Sequence, residues 1–216
     1  MEKSRVVRQD KGERTFHVFY LLALAGAQRF EYAKLKHTSY YRYFCEDFIE
    51  GKEYVEPEAA EYPHEELALT ELDTAFRSLQ MGDEMIGEIY RLVSGVLYLG
   101  NLTFKEKSDG YCEIDEASGE TLATCAELFG VDEKMLRKRV ETRSIVVSGT
   151  KYDKSLSKID IVNNRDAISK EVYHGLFQWL VRLSNEQLYK VYISTHIQHI
   201  NVYISHLYLS HYVSLF

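Results

Sequence analysis

Proline is nearly missing from this chain: two in 216 residues, Pro57 and Pro63. A proline inside a helix removes a hydrogen bond and clashes with the preceding turn, so its scarcity leaves long stretches free to be helical. Cysteine is scarce too. Cys45, Cys112 and Cys125 are odd in number and lack metal-ligand spacing, so they read as reduced thiols of a cytosolic protein, with no disulfide framework. No signal-peptide pattern opens the sequence, and no apolar run approaches the roughly 20 residues of a membrane helix. Nor is there an excess of positive charge. The formal net charge is −7, which argues against general nucleic-acid binding.

Signatures of chemistry are absent as well. No G-x-x-x-x-G-K-S/T occurs. The nearest look-alike, Ser148-Gly149-Thr150-Lys151, lacks the glycine spacing with which backbone N–H groups cradle a triphosphate. His64-Glu65-Glu66-Leu67-Ala68 begins like a zinc-protease helix, but alanine stands where the second histidine is required. No Ser/His/Asp arrangement follows from spacing, and Glu84 and Glu88 read as a solvated helix face.

What is present is charge in blocks, and tyrosine. Residues 1–43 carry nine Lys/Arg against four acids, and residues 134–160 carry eight against three. Between them, 45–66 holds nine acids and one lysine. An anionic partner would therefore be met locally, at a basic zone. Seventeen tyrosines are more than composition alone explains.

Apolar spacing places the elements. Ser4 to Val7 suits a short strand, Lys11-Gly12-Glu13 a turn, and Phe16, Phe19, Tyr20, Leu22 and Ala23 a helical face. Residues 32–64, rich in Tyr and acids, read as surface loop with short helices. Helix resumes near Glu65. Asp83 is the expected N-cap of a strong stripe, Met85 to Leu97, stopped by Gly100. Ser118 and Asp132 are expected to cap the next two helices, with Gly130 ending the first. Ile145-Val146-Val147 before Ser148-Gly149 suits a hairpin or an ordered loop within 143–158. From about Ile161, apolar residues at 168, 172, 176, 179, 180 and 183 mark an amphipathic helix, with Asp166 in its first turn. Phe16, Phe19, Tyr20, Phe177 and Trp179 are expected in the core. The fold class is mainly α with minor β.

After Asn185 the character changes. Residues 187–216 contain no acid and one lysine, and hold His196, His199, His206 and His211. Val-Tyr-Ile-Ser occurs at 191–194 and again at 202–205. A histidine metal site at His196 and His199, or a β-hairpin, is open to such a sequence. The reading preferred is a divergent tail over 186–216, compositionally biased and non-native or disordered.

Four blocks carry a resemblance. Glu2-Lys3-Ser4-Arg5-Val6-Val7, Gly12-Glu13-Arg14-Thr15-Phe16-His17-Val18-Phe19-Tyr20, Leu97-Tyr98-Leu99-Gly100-Asn101-Leu102-Thr103-Phe104 and Arg165-Asp166-Ala167-Ile168-Ser169-Lys170 occur in the order found in the myosin motor domain. They resemble its E-K-S-R-V-V, G-E-R-N-F-H-I-F-Y, L-H-L-G-N-I-x-F and R-D-A-L-A-K. Thr15 stands where Asn is usual and Ser169 where Ala is usual. Residues 31–62 match poorly.

The resemblance spans about 1–185 and implies much of the upper fifty-kilodalton subdomain, within the P-loop NTPase superfamily, between switch I and switch II. It implies a motor whose intact head binds Mg-ATP and moves on actin filaments in the cytoplasm, associated with the cytoskeleton. The N-x-x-S-S-R of switch I and the D-I-x-G-F-E of switch II are not in this sequence, so the chain alone is expected to bind no cofactor and to lack ATPase activity. In the family, the loop before R-D-A-L-A-K is the actin-contacting cardiomyopathy loop. The TEDS position, sixteen residues before its Asp, falls here on Thr150. The implied actin-binding residues are Gly149, Thr150, Lys151, Lys154 and Lys158, with Thr150 a phosphorylation site and the rest of the motor domain a further partner. A different class stays open: a non-enzymatic actin-binding or regulatory helical module, or a non-functional truncated product.

Overall fold

The structure, a computed structural model, describes residues 2–10, 13–44 and 65–213, with Val147 and 191–213 as backbone only. The turn expected at Lys11-Gly12, Cys45 and the acidic stretch up to His64 lie outside the described residues. The architecture is helical, with two small antiparallel ribbons.

The centre is α3, Asp83–Gly100. Its stripe packs as the spacing requires: Ile86, Ile89, Val93, Val96 and Leu97 are buried, while Met85 is left outside the core. Gly82, not Asp83, caps it. Asp83 is the first helical residue, where a carboxylate meets the positive end of the dipole, and it pairs with Arg77 at 2.6 Å. Gly100 is the last helical residue for a packing reason. A Cβ there would lie 2.8 Å from the Tyr43 ring.

Around α3 pack α1 (His17–Tyr20), which widens into a π-helical stretch over Leu21–Gly26, and α2 (Glu65–Ser78). Leu69 and Phe76 of α2 are buried, but Leu67 faces solvent. Ser4 to Val7 is not a strand. Lys3–Val6 is a 3-10 turn, and no strand among the described residues lies beside it to satisfy an extended backbone. Residues 31–44 correct the surface-loop expectation. Three 3-10 turns, Glu31–Ala33, Thr38–Tyr40 and Arg42–Phe44, fold inward and bury Tyr41, Tyr43 and Phe44.

This also accounts for part of the tyrosine excess. Each buried ring fills volume while its hydroxyl finds a partner. Tyr98 donates to Lys34 O at 2.5 Å, Tyr41 accepts from Lys36 N at 2.9 Å, and Tyr90 donates to the Asp73 carboxylate.

A short ribbon, β1 (Phe104–Glu106) with β2 (Cys112–Ile114), follows α3. Next comes α4, Gly119–Phe129, ended by Gly130 at φ +63 as expected. Ser118 is the N-cap residue of α4 as expected, but its side chain makes no capping bond. Its Oγ is taken by Thr103 N at 3.0 Å, and Asp115 instead caps the preceding 3-10 turn. Asp132 does cap α5, Glu133–Glu141, accepting from Met135 N at 2.9 Å.

The last helix, α6, runs Lys158–Val213. It starts earlier than its apolar spacing suggested. Ser157 Oγ caps its start, accepting from Asp160 N–H at 3.3 Å and donating to the Asp160 carboxylate at 2.7 Å. Its backbone passes position 185 without a break and is helical over 186–213, where the repeated tetrad also allowed a hairpin. The side chains of His196 and His199 lie outside the described residues.

Candidate functional site

β3 (Thr142–Val147) and β4 (Thr150–Ser155) pair in register from Thr142↔Ser155 to Val147↔Thr150. Two residues, Ser148 at φ 51 and Gly149 at φ 81, connect them. Two successive left-handed residues match the right-handed twist of the strands, so a two-residue turn closes without splaying them. The expected hairpin is thus present within 142–155.

Every residue of β4 is exposed, and Thr150 is the first residue past the turn. Alternation along the strand separates the expected site residues. Thr150, Tyr152 and Lys154 share one face. Lys151 and Asp153 share the other. Lys158 sits in the first turn of α6, also exposed. The residues are therefore neighbours along the chain without converging on one point.

The opposite face is tied to the body. Asp153 accepts from Ser144 Oγ at 2.8 Å and pairs with Lys138 of α5 at 2.7 Å. Lys138, then the Ser144 hydroxyl, hold the Asp153 carboxyl below its usual range. Beneath the hairpin, Leu156 is buried and its carbonyl accepts from Cys112 N at 2.9 Å. Ile161 is fully buried one turn on.

Further along α6 lies a polar cluster that spacing did not reveal. Arg165 is 1% exposed. Its Nε and Nη2 donate to Asp166 Oδ1 at 2.9 and 2.7 Å, and its Nη1 to Leu102 O at 3.1 Å. The Tyr43 hydroxyl donates to the same Asp166 oxygen at 2.9 Å and meets Ser169 Oγ at 2.9 Å. Burial pushes the Tyr43 phenol well above its ordinary value. Asp166 is therefore not a first-turn dipole partner. It lies more than two turns into α6 and anchors Arg165. Among the expected core aromatics, Phe19 and Tyr20 are buried and Phe16 and Trp179 pack against the core, but Phe177 is exposed.

The two departures from the family pattern are both accommodated. Ser169, fully buried, hydrogen-bonds Tyr43. Thr15, also buried, donates to Arg5 O at 2.7 Å. No group of three or more His, Cys, Asp or Glu able to hold a metal occurs among the described residues, and no described helix is long and apolar enough to cross a membrane.

Residues 1–204 match the model of the myosin head, or motor domain. The chain belongs to the myosin head family. It is 33% identical over 191 residues to unconventional myosin heavy chain 6 of Caenorhabditis elegans, covering 88% of this chain and 9% of that one. It is 34% identical over 193 residues to unconventional myosin-Va of Homo sapiens, covering 88% and 10%. It is 32% identical over 212 residues to unconventional myosin-VI of Mus musculus, covering 86% and 17%. The chain thus spans under a fifth of the length of these myosins. The match to the family continues nineteen residues beyond Asn185.

Proposed function

We propose that this chain supplies part of the actin-binding cleft of a myosin motor, with the β3–β4 hairpin as its actin-contacting cardiomyopathy loop. Mg-ATP is bound by other parts of the intact head, and the motor works in the cytoplasm on the actin cytoskeleton. The observation that carries this reading is the hairpin itself: a tight turn, anchored at its base, that presents an exposed and basic strand. Gly149, Thr150, Lys151, Lys154 and Lys158 meet the filament in this reading. Lysines in that position favour approach to an acidic surface.

Thr150 is the proposed phosphorylation site. Phosphate adds about −1.5 to −2 charges and three strong acceptors. Lys151 points to the opposite face of the strand, and Lys154 stands four residues along, roughly 13 Å away at strand rise. A phosphate at Thr150 is therefore presented outward to the filament and is not paired within the hairpin.

The test is made in a complete motor carrying this segment. Thr150→Glu preserves actin-activated ATP turnover and Thr150→Ala lowers it, with basal turnover unchanged in both. Equal actin activation of the two variants overturns the proposal.

A further inference from the structure

On the side of the hairpin away from Thr150, between β3–β4 and α5, lies a cleft of about 380 Å³ lined by Met135, Lys138, Arg139, Thr142, Lys151 and Asp153. Three cations face it, and one carboxylate. Asp153 is already occupied, by Lys138 and by Ser144. The Thr142 hydroxyl donates to Lys138 O at 2.7 Å. No ion pair joins Arg139 or Lys151 to a described residue. Their donors are the ones left to meet a ligand, with the remaining N–H groups of Lys138.

We infer that this cleft binds a phosphate-monoester dianion. The charge balance selects the class. Lys138, Arg139 and Lys151 give three positive charges and Asp153 one negative, leaving two. A phosphate monoester near neutral pH carries about −1.5 to −2 and matches that remainder, whereas a lone carboxylate leaves a cation uncompensated. The donors suit it too: a guanidinium offers a planar fork to two phosphate oxygens, while ammonium groups act as point charges beside it.

The walls are held before any ligand arrives. α5 is capped by Asp132, the Asn164 amide of α6 donates to Arg139 O and Val140 O at 2.8 and 2.9 Å, and the Lys138–Asp153 bridge fixes the hairpin against α5. The site shares Lys151 with the proposed actin-contacting set, but it lies on the face of β4 away from Thr150 and needs no second protein.

Exposed cations bind weakly and in a salt-dependent way. The test is therefore titration of the full chain with inorganic phosphate at constant ionic strength, followed by amide resonances. Saturable shifts confined to 135–144 and 151–153, absent with chloride, are expected, with affinity falling roughly tenfold or more in the Arg139→Gln/Lys151→Gln double variant. Thr150→Ala, on the opposite face, leaves the affinity unchanged.

The source of the monoester is separated by a second arm. Vesicles carrying a singly phosphorylated inositol headgroup either retain the wild-type chain and not the double variant, which assigns a lipid, or retain neither while phosphate still saturates, which assigns a soluble ester. Shifts reproduced by chloride, an adventitious ion only, or equal affinity of the folded double variant overturns the inference.

Discussion

The Tyr43 hydroxyl lies 2.9 Å from Ser169 Oγ, across 126 residues of chain. This contact joins the inward-folded 31–44 segment to α6. In the motif that the block around Ser169 resembles, alanine stands at the serine's position, so the Ser169 hydroxyl supplies a hydrogen bond where alanine would offer packing alone. Ser169→Ala is expected to cost about 1 kcal/mol, the usual net worth of one neutral hydrogen bond, and Tyr43→Phe more, because it also removes the bond to the Asp166 carboxylate. The double variant costs less than the sum, because both changes remove the same bond. Urea unfolding of the four proteins gives the coupling. Strict additivity would mean that the two hydroxyls do not interact.

Arg165 is the more consequential neighbour. Its charge is nine-tenths or more out of water and is satisfied by Asp166 and Leu102 O. Arg165→Met leaves the Asp166 carboxylate without its cation, and breaking such a buried pair costs about 3–5 kcal/mol. The double variant Arg165→Met/Asp166→Asn recovers part of that loss. Thermal melts distinguish the two. A double variant no more stable than the single one would show that Asp166 is not the group left stranded.

Two helical glycines of α3 should differ in their response to alanine. A Cβ on Gly95 meets the Phe129 ring at 2.5 Å, and one on Gly100 meets the Tyr43 ring at 2.8 Å. Phe129 is only half-buried, at the edge of the core, so its ring has solvent on one side into which to shift. Tyr43 is held by Asp166 and Ser169. Overpacking costs about 1–3 kcal/mol, offset by the better helix propensity of alanine. Gly100→Ala is therefore the more destabilising despite its longer contact. The reverse order in urea midpoints would show that the 31–44 segment yields more readily than its hydrogen bonds suggest.

The hairpin turn offers a stabilising change. Ser148 sits at φ 51, a region that asparagine and glycine adopt more readily than serine. Ser148→Asn is expected to slow amide hydrogen exchange across β3 and β4, and Gly149→Val to speed it. Unchanged exchange in both would mean that the turn does not limit opening of the ribbon.

Alkaline pH should unfold the protein through its tyrosines. Burial pushes the Tyr98 phenol up to about 12, and burial drives Tyr41, Tyr43 and Tyr90 upward too. An unfolded tyrosine ionises near 10. Stability from these groups is therefore full below about pH 10 and falls as pH rises through 10 towards 12, because the unfolded chain sheds protons first. Tyrosinate absorbance should appear together with loss of helical circular dichroism. Absorbance that rises well before unfolding would show that these rings are open to solvent.

The helices were legible because their evidence is local. The α3 stripe, Asp132 as a cap and Gly130 as a stop each depend on residues within a turn or two. The hairpin was legible as far as its β-branched run before Ser-Gly. What escaped was set by distant partners. Tyr43 reads as a polar-loop residue until α6 arrives beside it. Asp166 reads as a dipole partner until the helix is seen to begin at Ser157-x-x-Asp160, an N-cap pattern present in the sequence but masked by the late start of the apolar spacing. Phe177 looked like core because aromatic content was counted without its phase on the helix.

Among the described residues the β3–β4 ribbon has two strands, so each is an edge there. β4 therefore carries a row of backbone N–H and C=O groups directed away from β3, open to pairing by an added extended chain. If Thr150 is phosphorylated as proposed, an enzyme that reads its substrates as strands can dock along this row and reach the Thr150 hydroxyl without first melting the turn. Recognition at this position then depends on main-chain geometry as much as on flanking side chains, and the cost of presenting the threonine is met in advance by folding.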